Sequence, residues 1–342
     1  MSPLSLVAEI GGNHNGDQKK ARLLVQAAKN VGAGAVKFQA YRTKFFLHPM
    51  CPYRKDLARE ELSFAALTDL VALAHDLGLL AGLTVFGPEG LDLALKAKAD
   101  YLKISSGDLN YHQLIKAAGQ IPLPLVISTG ASFEKEVAAT LVLLPTPPIV
   151  LQCASLYPAP QATSNLAVLA KWLDLGRTAG FSDHCLDIIP SIAASFSGAV
   201  MIEKHFTLDK SWPGGDNFMS ASPDEFASLR RRTSKPVDPI IAKKTRLTLK
   251  KKRPILWGQA TKKPQPGENP RLIRRWAIAA KNLVKGQKLS QNDVIFQRTP
   301  LWPTPLLGPV EPWAELVLVR DLAKGEPVAR ADCALTRVKN DG

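Results

Sequence analysis

Eight apolar runs of strand length punctuate the first two thirds of the chain, at residues 5–10, 35–39, 79–85, 101–105, 124–128, 148–153, 179–182 and 199–204. Between them, apolar residues recur at helical spacing. In the stretch from Asp17 to Val31, Leu23, Leu24, Ala27, Ala28 and Val31 share one face, and Gly32 supplies a helix-ending glycine. Comparable patterns occupy roughly 61–77, 88–98, 110–118, 132–143, 164–174, 186–197 and 223–231. Eight strand–helix units in succession predict a (β/α)8 barrel. The competing architecture is a doubly wound open sheet, but the first strand–helix turn, Gly11-Gly12-Asn13-His14-Asn15-Gly16, is not a G-x-G-x-x-G dinucleotide loop.

A second pattern begins after residue 272. Ile278 to Gly286, ending at Asp293, is echoed by Val317 to Gly325, ending at Asp332, with an offset of 39 throughout. Each half reads as a short strand, a Lys-Gly turn and a brief second element, which predicts a small pseudo-symmetric β-rich domain. The expected organisation is therefore a barrel at 1–232, a connector at 233–272 and a C-terminal domain at 273–338.

Charge changes the picture in the connector only. The 342-residue chain has 44 Lys and Arg against 30 Asp and Glu, a net charge of +14. Residues 230 to 275 hold 16 of the basic residues and just two acids, Asp238 and Glu268, leaving the rest of the chain balanced. Runs such as Lys250-Lys251-Lys252-Arg253 could meet a polyanion, yet no base-stacking aromatic motif accompanies them, and a solvated, partly mobile linker is expected. The N-terminal residues lack a basic leader pattern and no apolar run reaches membrane-spanning length, so a cytoplasmic protein with no membrane partner is expected. Cys51, Cys153, Cys185 and Cys333 form no Cys-x-x-Cys pair and read as reduced thiols.

Candidate chemistry gathers at the strand exits, where a parallel barrel builds its active site. They carry Glu9, Lys37 with Gln39, Thr84, Lys103 with Ser105 to Asp108, Ser128, Ser155 with Tyr157, Ser182 to His184, and Glu203 to His205. Lysines inside otherwise apolar runs need a compensating partner, so Lys37 and Lys103 with the hydroxyls predict a pocket for phosphate or carboxylate. His184 and His205 end consecutive apolar runs and can share one divalent metal, which would polarise a carbonyl compound. The remaining histidines, His14, His48, His75 and His112, read as structural or surface residues.

The runs Ala8 to Gly16, Val36-Lys37-Phe38-Gln39, Lys103 to Asp108, Ile127 to Gly130, Ser155 to Pro160, Phe181 to His184 and Glu203 to Thr207 resemble those of the sialic acid synthase family, in the family's order. The tail is similar to the family's antifreeze-like (β-clip) domain. The resemblance implies metal-dependent condensation of phosphoenolpyruvate with an N-acyl amino sugar, such as N-acetylmannosamine, to a nine-carbon sialic-type acid and phosphate. It implies Mn²⁺ on His184 and His205, with Mg²⁺ or Co²⁺ as substitutes. It places phosphoenolpyruvate on Lys37, Thr84, Lys103, Ser106, Ser128, Ser155 and Ser182, and the sugar on Gln39, Tyr157 and Asp216. Glu9 and Asp108 match the acidic pair that manages protons. The resemblance further implies a homodimer in which one subunit's C-terminal domain caps the other's barrel, bringing Arg298 to the sugar's N-acyl group.

The sequence departs from the family pattern at several points. Leu83-Thr84-Val85-Phe86 stands where Thr-Pro-Phe is usual, and Gln152 replaces a common His. The segment from Thr43 to Glu61 is shorter than the usual sugar-reaching loop, and Pro213-Gly214-Gly215-Asp216-Asn217 replaces Pro-Gly-Pro-Asp-His. The acceptor is therefore left open, with phosphorylated or 2,4-diacetamido hexoses as alternatives. A non-catalytic polyanion-binding barrel is the rival reading from another functional class.

Overall fold

The structure, a computed structural model, describes residues 5–233, 237–300 and 302–335. The domain edges expected at residues 1 and 338, and residues 234–236 of the expected connector, lie outside the described residues.

Eight parallel strands close into a barrel, β1 (Ser5–Glu9), β2 (Ala35–Ala40), β3 (Leu80–Val85), β4 (Tyr101–Ile104), β5 (Leu125–Ser128), β6 (Ile149–Gln152), β7 (Ala179–Asp183) and β8 (Met201–His205), in sequential order with β8 paired to β1. Each falls within a residue or two of an expected apolar run. Helices fill the expected intervals, and their ends follow from local chemistry. Asp17 caps the helix Gln18–Asn30 by accepting from the Lys19 and Lys20 amides, and Gly32, at φ +81°, takes the left-handed turn that follows it. Ser222 and Glu225 form a capping box at the start of Pro223–Arg232.

Alternation along the strands separates two environments. On the inner face, Val7, Ala35, Tyr101, Val126, Leu151 and Met201 form an apolar plug low in the barrel. Gly82 makes room for it, since a Cβ there would lie 2.0 Å from the Tyr101 ring. One step further along the strands the inner face turns polar. Register pairs Glu9 with Lys37 and with His205, and Thr84 with Lys103. The outer faces pack against the helices in one continuous core.

The C-terminal unit has two antiparallel pairs, β9 (Trp276–Ala279) with β10 (Val294–Gln297) and β11 (Leu316–Leu318) with β12 (Cys333–Leu335). The 39-residue offset is visible here: Asp293 and Asp332 end matching 3₁₀ turns and accept from the Ser290 and Ala329 amides. The halves interlock through bridges such as Leu283 to Leu322 around Leu289, Leu307, Trp313 and Val328.

The connector differs from the solvated, mobile linker expected. Pro239–Lys252 is a helix capped by Asp238, with Ala242 buried and Arg246 bonded to Asp174 and the Ala170 carbonyl. Leu256 joins the main core. Further on, Lys262 is 1% exposed and bonds Gln152 and the Cys153 carbonyl, while Glu268 accepts from the Ala131, Ser155 and Gln265 amides. Polar backbone groups at the strand exits need partners when covered, and these side chains provide them. No helix among the described residues is long and apolar enough to cross a membrane.

Candidate active site

The polar layer forms the floor of a cavity of about 570 Å³ at the C-terminal mouth of the barrel. Lys37 Nζ lies 2.5 Å from Glu9 Oε2 and donates to Thr84 Oγ1 at 2.6 Å. Lys103 Nζ donates to both oxygens of Glu203 at 2.9 Å, and Ser182 Oγ donates to Glu203 Oε1. The two lysines therefore have internal counter-charges, and Glu203 is the residue that sequence reading left without a role. Burial works against the Glu203 charge, but the Lys103 and Lys37 ammoniums outweigh it and hold its carboxyl well below the usual range. Glu9 moves the opposite way. Burial pushes its carboxyl up, Lys37 opposes this, and the Glu203 charge adds to the rise.

Above this floor stand the imidazoles of His184 and His205, with ring centroids 5.5 Å apart. The Ala154 carbonyl lies 2.6 Å from His184 Nδ1, so that nitrogen carries hydrogen and Nε2 is left with its lone pair. His205 Nδ1 is buried without a hydrogen bond, its nearest acid being Asp216 Oδ2 at 3.5 Å. Burial depresses both rings, His184 to about 4, so both are neutral at pH 7. Tyr157 stacks on His184 at 4.1 Å. Burial, then Glu60 and Glu9, raise Asp216 to about 7. Among the described residues no three His, Cys, Asp or Glu side chains are grouped to hold a metal. Two neutral imidazoles, one with an unpartnered buried nitrogen, nevertheless suit an ion that takes its other ligands from water or substrate.

Gln39, Ser106, Ser128, Ser155, Tyr157, Asp216 and Arg298 also line the cavity, together with Glu9, Lys37, Thr84, Lys103, Ser182, His184 and His205. Asp108 does not. It is fully buried behind the wall, paired with Arg275 Nε at 2.5 Å and accepting from Ser105 Oγ. Arg298 arrives from its own chain. Its amide donates to the Phe46 carbonyl, its carbonyl accepts from the His48 amide, and its guanidinium lies 4.6 Å over the Phe46 ring. Where a partner's cap was expected, the cap of this single chain sits on the chain's own barrel. Arg274 bonds the Ser106 and Ala131 carbonyls, and Arg275 bonds Asp108, the Phe86 carbonyl and the Phe296 carbonyl, steering β9 onto the same barrel.

A family profile described as the NeuB family matches residues 24–238. The N,N'-diacetyllegionaminic acid synthase of Legionella pneumophila is 33% identical over 318 residues, covering 86% of this chain and 85% of the relative. The chain belongs to the NeuB family. Among solved structures, the spore coat polysaccharide biosynthesis protein SpsE of Bacillus subtilis superimposes with a TM-score of 0.78 at 26% identity, covering 98% of this chain and 96% of its own. The N-acetylneuraminic acid synthetase of Leptospira borgpetersenii, in complex with citrate, gives 0.66 at 27% identity, covering 78% and 89%.

The profile match of this NeuB-family chain ends before the connector helix, where several residues missed by sequence reading begin to matter. Arg274, Arg275, Lys262 and Glu268 belong to a stretch whose charge density reads as solvated surface. Asp56 and Glu60, on the short helix Arg54–Glu60, line the cavity from the segment that looked merely truncated. The one available signal for Glu203 was parity, since it stands two residues before His205 on an inward-facing register.

His14 lies beside the site rather than in it. Its Nδ1 accepts from the Gly16 amide, and burial lowers it to about 4. An imidazole depressed from about 6.5 when unfolded gives stability that is complete above that pH and is lost as pH falls towards 4. Unfolding free energies from urea titrations should therefore fall less between pH 7 and pH 4.5 in His14→Asn than in the parent, by up to about 3 kcal/mol. Parallel losses in the two proteins would refute the assignment.

Proposed function

We propose that this protein condenses phosphoenolpyruvate with an N-acyl amino sugar, giving a sialic-type nonulosonic acid and inorganic phosphate. The observation that carries this reading is one cavity whose floor holds two buried ammoniums among hydroxyls while its upper part holds two neutral imidazoles. Lys37 and Lys103 can turn from Glu9 and Glu203 towards an incoming dianion, with Thr84, Ser106, Ser128, Ser155 and Ser182 donating to its oxygens. His184 and His205 would hold a divalent ion, Mn²⁺ first among Mg²⁺ and Co²⁺, which when bound supplies Lewis-acid polarisation of an aldehyde.

Carbon 3 of the enolpyruvate bonds to the aldehyde carbon, whose oxygen takes a proton; water adds at C2, and the C2–O bond to phosphate then breaks. Glu9, pushed up by burial and lining the cavity, is the carboxyl placed to exchange protons with that water. Asp108 has no such access, and its role becomes positioning of Arg275. Gln39, Tyr157 and Asp216 face the acceptor, and the C-terminal unit, which we read as antifreeze-like, excludes water over them. Incubation with phosphoenolpyruvate, Mn²⁺ and a panel of N-acyl hexosamines, reading phosphate release and product mass, tests the reaction. No acceptor-dependent phosphate with any sugar of the panel would overturn it.

Arg298 is proposed to hold the N-acyl carbonyl with its planar donor array. Arg298→Ala should raise the KM for the sugar about tenfold or more, as for a lost charged hydrogen bond, with little change for phosphoenolpyruvate. Within the single chain Arg298 lines the same cavity as the barrel residues. Mixing Arg298→Ala with His184→Ala chains should therefore restore no activity, and rescue on subunit exchange would show that the cap works across subunits.

A further inference from the structure

The cavity has two electrostatic halves. Its cations are Lys37 and Lys103 on the floor and Arg298, whose guanidinium lies beside Gly107 at the β4 exit. On the β1 and β8 side the wall is acidic, formed by Asp56, Glu60 and Asp216. Glu60 is fixed there. Its Oε1 accepts from the Gly215 amide at 2.8 Å, and its Oε2 sits so close over Gly12 that a Cβ on that residue would lie 2.2 Å away. Asp56 pairs with Arg59 at 3.5 Å, both side chains being more than half exposed and so screened by water.

Resting on the synthase reading above, we infer that the acceptor carries no phosphate, and that Glu60 and Asp56 of the short segment select for a neutral, hydroxyl-rich sugar. The first substrate, a phosphorylated acid, has a claim on the floor lysines. A second phosphate on the acceptor would have to share those lysines or face the Asp56 and Glu60 carboxylates, and like-charge juxtaposition is how binding sites reject a wrong partner. Sugar hydroxyl and amide N–H groups, in contrast, are donors that the carboxylates accept.

The test compares N-acetylmannosamine with its 6-phosphate at saturating phosphoenolpyruvate and Mn²⁺, in the parent and in Glu60→Gln and Asp56→Asn chains. The parent should favour the unphosphorylated sugar by about tenfold or more in kcat/KM, and the variants should narrow that ratio by improving the phosphorylated sugar. Equal or better use of the 6-phosphate by the parent, or an unchanged ratio in both variants, overturns the inference while leaving the synthase reading standing. If neither sugar turns over, calorimetric binding of each to the phosphoenolpyruvate-loaded protein decides the inference by the same ratio. Absence of phosphoenolpyruvate binding, by contrast, counts against the synthase reading.

Discussion

A Glu203→Leu chain should lose about 3–5 kcal/mol of stability, the cost of leaving a buried ammonium without its counter-charge. Lys103 bonds both Glu203 oxygens at 2.9 Å, Lys37 lies 4.0 Å from one of them, and the side chains of all three are almost wholly buried. Removing the carboxylate strands Lys103, while Lys37 keeps Glu9 at 2.5 Å. The measurement is the urea midpoint of Glu203→Leu, of Lys103→Met and of the double variant. The double variant should be more stable than the sum of the two single losses predicts, because it removes the ion pair rather than orphaning one half. Lys103→Met should also raise the KM for phosphoenolpyruvate well beyond that for the sugar, since a charged hydrogen bond is worth about 1.5–3 kcal/mol. Midpoints that add without coupling would show that Glu203 does not sustain this cluster.

Turnover dependent on added Mn²⁺ should fall by at least about a hundredfold in His184→Ala and in His205→Ala, since loss of a direct ligand should exceed the 10–100-fold cost of losing a supporting one. Both rings line the cavity and lie outside the barrel's apolar core clusters, so circular dichroism and the urea midpoint should change little. Direct calorimetry of Mn²⁺ binding separates a lost ligand from a displaced substrate. Chelator-treated His205→Ala protein that keeps full activity would refute the pair as a metal site. So would undiminished Mn²⁺ affinity in both variants.

Much of this architecture was legible in the chain because it rests on short-range periodicity. Strand residues alternate between faces, so Lys37 with Gln39, Ser182 with His184 and Glu203 with His205 share the inner face by parity alone, while Asp183 and Lys204 pair on the outer one at 3.3 Å. Helix spacing, the Asp17 and Ser222 caps and the Gly32 terminator are likewise local, and the 39-residue echo is a repetition of letters. What the chain left undecided was the partner of each charge. A lysine or arginine reads the same whether water or a carboxylate compensates it, and burial is a property of the closed barrel. That is why Lys37 and Lys103 read as an anion pocket without showing that they also pair with Glu9 and Glu203, why the match of Asp108 to a family acid did not show its pairing with Arg275, and why the basic stretch read as solvated while Lys262, Arg274 and Arg275 close the strand exits. Local sequence determined where the polar groups stand along the strands; closure of the barrel, and the path of the connector over its mouth, decided which charges face substrate and which face one another.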